Sequence, residues 1–149
     1  MSIKQRLFDH CQQYVEQCIA NIQLALEQVR RAANEETKSS VGDKYETSRA
    51  MMQLEQEKLT VQLSEAQQLQ HVLNKIKCDN IAPIINEGSV VVTNQGNYFI
   101  AISAGKIQLE GKLYYAISAQ SPIGVALWGK QINDEYAFRG QSFRVLDVF

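Results

Sequence analysis

Two long apolar seams without a proline or glycine flank a single glycine break, and they leave this chain few ways to fold. From Phe8 the apolar or small residues Cys11, Val15, Cys18, Ile22, Ala25, Val29 and Ala32 follow one another in steps of three and four. That alternation is a heptad seam, the mark of a helix with one buried side. Ile19 and Leu26 widen the stripe, while Gln12, Glu16, Gln23, Glu27 and Arg30 fill the other face. A similar seam returns as Met52, Leu59, Leu63, Ala66, Leu69, Leu73 and Ile76, with a polar gap near Gln56. Each seam needs a partner, and the other one is at hand. The arms are expected to pair as an antiparallel hairpin over residues 1–78. An arm of about 30 helical residues spans ~45 Å at 1.5 Å per residue, so its tip stands far from its base.

The reversal falls at Ser39-Ser40-Val41-Gly42-Asp43-Lys44-Tyr45-Glu46. Gly42 is free to take a left-handed backbone, and Asp43 is suited to cap the helix that follows. Asp43 and Glu46 are three apart, so on a helix they project from one face. That spacing suits two roles. It is the spacing of a capping box, with Glu46 reaching back to the amide of the cap. It also lets two carboxylates hold one divalent cation. Arg30, Arg31, Lys38, Lys44 and Arg49 stand among the acids Glu35, Glu36, Asp43 and Glu46, giving mixed charge. Such a mixture is a solvated helix end, or a flank able to meet phosphates if the tip enters a site that contains nucleic acid.

A formal charge of −1 and 45% apolar content suit one or two small soluble domains, and nothing extreme is implied by this composition. The start of the sequence lacks a signal-peptide core, and no apolar run reaches the ~20 residues of a membrane span, so a cytoplasmic protein is expected. Cys11, Cys18 and Cys78 lack metal-ligand spacing; the first two fall on the seam, where a thiol packs as a small hydrophobe. His10 and His71 lie near the far ends of their arms from the tip and read as surface or seam-edge residues.

Composition changes at Cys78-Asp79-Asn80-Ile81-Ala82-Pro83. Residues 79–87 read as a linker, since Pro83 ends helical propensity and Asn86-Glu87-Gly88 precedes a β-branched run. Residues 88–149 then form a second domain. Strands are expected at 89–93, 98–104, 113–118, 135–139 and 142–148, with turns at Asn94-Gln95-Gly96-Asn97 and Gly140-Gln141. Between them Ser121 caps a short helix, Pro122 takes its first position and Gly129 stops it. The fold class is α+β: a helical hairpin followed by a small antiparallel sheet packed on one short helix. Ile117, Ile123, Leu127, Phe138, Phe143 and Val145 are the candidate core. This half holds no His and no Cys, so it reads as a binding module.

The combination resembles the bacterial Gre transcript-cleavage factors, GreA and GreB. The resemblance covers nearly the full chain and rests on Gly42-Asp43-x-x-Glu46 at the tip and on Ile117-Ser118-x-x-Ser121-Pro122-Ile123-Gly124-x-Ala126-Leu127-x-Gly129-Lys130. It implies an FKBP-like C-terminal domain that docks at the rim of the secondary channel of RNA polymerase, with Ser121, Pro122, Ile123 and Gly124 as polymerase-binding residues. It implies a coiled coil that reaches down the channel to the nascent RNA 3′ end of a backtracked complex, with Lys44 and Arg49 as basic residues near that RNA. The family's two tip carboxylates fall on Asp43 and Glu46, which are expected to share a catalytic Mg²⁺ with the polymerase. The chain then stimulates another enzyme's nuclease, needs no cofactor of its own, meets no membrane and works as a monomer.

Family tips commonly continue Glu-Asn-x-Glu-Tyr, whereas Glu46 is followed by Thr47, Ser48, Arg49 and Ala50. The carry-over at the tip therefore stops at Asp43 and Glu46. Two alternatives follow: a channel binder that inhibits polymerase without cleavage, and a non-catalytic coiled-coil adaptor. A peptidyl-prolyl isomerase would need an aromatic pocket, whereas Tyr98, Phe99, Tyr114, Tyr115, Trp128, Tyr136 and Phe138 suit a core.

Overall fold

In the computed structural model residues 2–38 and 42–149 are described, leaving aside the side chains of 36–38 and 42–45. Ser39, Ser40 and Val41, the centre of the expected reversal, lie outside the described residues. Two helices, α1 (Ile3–Lys38) and α2 (Gly42–Asn74), precede six strands and a short helix. These are β1 (Val90–Thr93), β2 (Asn97–Ala101), β3 (Gly105–Leu109), β4 (Lys112–Ser118), α3 (Pro122–Leu127), β5 (Glu135–Phe138) and β6 (Gln141–Val148). The chain divides into two compact units, one of Val15–Leu69 and one that joins the start of α1, as far as Tyr14, to Gln70–Phe149.

In the Val15–Leu69 unit the two helices pack antiparallel. Ala25, Val29 and Ala32 of α1 share a groove with Leu59, Met52 and Ser48 of α2. Val15, Leu26, Leu59 and Ala66 are buried there, and Cys18, Ile22, Leu63 and Leu69 half-buried, as the two seams require.

The second unit is built on one six-stranded sheet of order β3-β4-β2-β1-β6-β5. It is mixed rather than wholly antiparallel, because β2 pairs β4 in parallel, Tyr98 beside Tyr115 and Ile100 beside Ile117. The strand expected at 98–104 ends at Ala101, and β3 starts at Gly105 with φ +81°. That turn sends β3 to the sheet edge, where it pairs antiparallel with β4 through Glu110-Gly111. Its alternation is faint in the sequence because only Ile107 is buried.

Register sorts the side chains to two faces. On one, Val91, Tyr98, Ile100, Val145 and Val148 pack with Ile123 and Leu127 of α3, with Tyr136 and with Ile85; Ile117, Phe138 and Phe143 are partly buried against them. The Tyr136 hydroxyl, buried here, lies 3.0 Å from both Thr93 Oγ1 and Gln95 Oε1 and ties β5 to the β1–β2 turn. Val90, Phe99, Ile107, Tyr114 and Ala116 take the opposite face and are buried too. The cluster around α3 does not include them, and the other helical segments of this unit are the start of α1 and the end of α2. Leu7, Cys11 and Leu73 are fully buried in this unit, and Ile76 lies so close to Gly88 (φ +94°) that a Cβ there would meet its Cγ2 at 3.0 Å.

Polar contacts fix the base of the hairpin. Lys4 Nζ donates to Asn80 O at 2.8 Å, Arg6 pairs with Glu110 at 2.9 Å, and the Gln12 and Gln70 amides meet at 3.1 Å. Burial lowers the Lys4 pKa, opposed by Cys78 and Asp79 nearby.

Candidate functional site

The hairpin tip carries the first candidate set. α2 begins at Gly42, so Asp43 and Glu46 lie at its start, one helical turn apart. Glu46 and Arg49 are exposed. The side chains of Asp43 and Lys44 lie outside the described residues. Two carboxylates supply too few oxygens for the octahedral shell of Mg²⁺, which commonly takes one or two protein carboxylates plus phosphate and water oxygens. The donor set therefore fits a shared ion better than a resident one. Among the described residues, no three His, Cys, Asp or Glu side chains gather as a metal site.

The second set is the segment from Ser118 to Lys130, whose local chemistry is dictated residue by residue. Ser121 caps α3: its Oγ accepts from the Gly124 amide at 3.1 Å and donates to Ser118 O at 2.7 Å. Pro122 follows at the start of the helix, where a missing N–H does no harm. Ile123 and Leu127 point into the core. Gly124 is a glycine because a Cβ there would lie 2.3 Å from the carbonyl oxygen of Ser118. Gly129 takes φ +79° beyond the end of α3, and its amide donates to Ile85 O at 3.0 Å, while Ile85 N donates to Lys130 O at 2.9 Å.

This accounting separates folding residues from those a partner can touch. Ile123 and Gly124 are buried and Ser121 is half-buried, whereas Pro122 is exposed. Val125 and Trp128, one turn apart, are 63% and 49% exposed, and Ile84 and Ile132 beside the Ile85–Lys130 bridge are about as open at 48% and 46%. Sequence reading passed over Val125, Ile84 and Ile132 and counted Trp128 with the core aromatics, whereas it is half exposed, since apolar residues next to a core motif read as more core.

No protein-family model matches the chain, and no curated protein matches it. Solved structures similar to it include the crystal structure of GreA factor homolog 1 (Gfh1) of Thermus thermophilus, with 19% identity, 88% of this chain and 94% of that one covered, and a TM-score of 0.34. A structure of the transcription factor Gfh1 has 20% identity, covers 88% of this chain and 92% of that one, and gives the same TM-score, 0.34. Both are structures of Gfh1.

The remaining reactive groups are quiet. Burial pushes the Cys11 thiol up to about 12, so it stays protonated at neutral pH and cannot act as a nucleophile. Cys78 is raised as well, chiefly by burial, with the Lys4 ammonium opposing. His10 and His71 are exposed. No helix of the described residues is long and apolar enough to cross a membrane.

If Ser121 and Gly124 serve folding, their loss should appear as instability. Ser121→Ala removes a cap and should cost about 1 kcal/mol. Gly124→Ala gains up to ~1 kcal/mol in helix propensity but must push aside a backbone carbonyl, so a net loss of about 1–3 kcal/mol is expected. Urea unfolding followed by Trp128 fluorescence measures both; equal midpoints for wild type and Gly124→Ala would contradict the close approach.

Proposed function

We propose that this chain is a Gre-type elongation factor that binds RNA polymerase through its secondary channel and stimulates cleavage of backtracked RNA. The observation that carries the reading is the position of Asp43 and Glu46, one turn apart where α2 begins, with Glu46 exposed. A carboxylate pair on a narrow hairpin makes no closed site, so its chemistry belongs inside another protein. Asp43 and Glu46 hold the weakly bound second Mg²⁺ of the polymerase, and Lys44 and Arg49 lie near the RNA 3′ end. The ion, when bound, activates water for phosphodiester hydrolysis. The chain's own part is to deliver and orient two oxygen ligands. Docking falls to the C-terminal unit at the Ser121–Gly124 segment. Because Ile123 and Gly124 are buried, the atoms that meet polymerase there belong to Pro122, Val125 and Trp128.

The test is retention of the full chain on immobilised core RNA polymerase. Wild type should bind. Val125→Glu places a charge in the contact and should weaken binding by at least about tenfold, as loss of an interface anchor does. Its unfolding midpoint should stay near that of wild type, because Val125 is exposed. Failure of wild type to bind removes the reading; equal binding by Val125→Glu moves the docking face elsewhere.

A second reading is a channel binder that inhibits without cleavage. Thr47, Ser48, Arg49 and Ala50, standing where the family's tip carries Asn, Glu and Tyr, favour it.

A further inference from the structure

We draw no further inference here: the strongest candidate, the open apolar groove between α1 and α2 lined by Val29, Met51, Met52 and Leu59, carries none because nothing in the structure shows what covers it.

Discussion

A fragment of residues 88–149, cut where composition changes, should not fold by itself. Its sheet has two buried faces. α3 and the residues around it cover only the face that bears Tyr98, Ile100 and Val145. Val90, Phe99, Ile107 and Tyr114 face the other way and are at most 2% exposed. Each loses roughly 1.5–3 kcal/mol when such a side chain returns to water, so four lose about as much as a small domain's whole stability of 5–15 kcal/mol. The fragment should give poor amide dispersion in NMR spectra and no cooperative thermal transition. A sharp transition within a few degrees of the full chain's would show that the hairpin base is dispensable. Leu73→Ala in the full chain tests the weight of that base without a cut. Leu73 is fully buried in the base, and its truncation should cost about 2–5 kcal/mol.

Asp43→Asn should abolish most cleavage stimulation while leaving docking intact. Because α2 begins at Gly42, Asp43 lies within its first turn and not at the cap. Asparagine there gives up a charge–dipole attraction of only about 0.3–1 kcal/mol, so the substitution removes little besides a charged ligand. If the carboxylate supplies about 3 kcal/mol of charge stabilisation around the ion, cleavage should fall on the order of a hundredfold. Glu46→Gln should behave alike, and raised Mg²⁺ should partly rescue both. The measurement is the rate of RNA shortening in stalled, backtracked elongation complexes, with retention on core polymerase as the control. Stimulation that survives both substitutions would falsify the metal role. A wild-type chain that stimulates nothing yet displaces an active cleavage factor supports the inhibitory reading, and then the same two substitutions should leave competition unchanged.

What could be read from the sequence follows the physics of each signal. The seams were legible because heptad spacing is set by one helix against one partner, and Val15, Leu59 and Ala66 are buried where the spacing puts them. The helix at Ser121 was legible because cap, Pro and stop are local chemistry. β3 was not, since an edge strand with only Ile107 turned inward leaves almost no alternation. The parallel pairing of β2 with β4 follows from β3 taking the edge, a non-local fact that no window of residues contains. The burial of the second sheet face was hidden for a similar reason. Leu73 reads as one more seam position and Leu7 is missed, since the seam starts at Phe8, which is only half-buried; nothing in a heptad says that its last turns join the unit of the sheet. At the candidate site, residue types marked the Ser121–Gly124 segment, but burial was needed to separate Ile123 and Gly124 from Pro122, Val125 and Trp128.

The Ser121 hydroxyl has a consequence for motion. At six residues α3 is far shorter than a helix that persists alone in water. Its first turn is tied to Ser118, the last residue of β4, through Ser121: the hydroxyl passes a hydrogen bond from the Gly124 amide to the Ser118 carbonyl, and the Ser121 amide donates to the same carbonyl at 3.2 Å. The helix is therefore an extension of the strand and should not fray independently of it. Deuterium uptake at the Gly124 amide should follow that of the β4 amides across denaturant concentrations, so that the two open as one cooperative segment. Any force that a partner exerts on the exposed side of α3 would then be borne by β4, a strand held on both sides by β3 and β2.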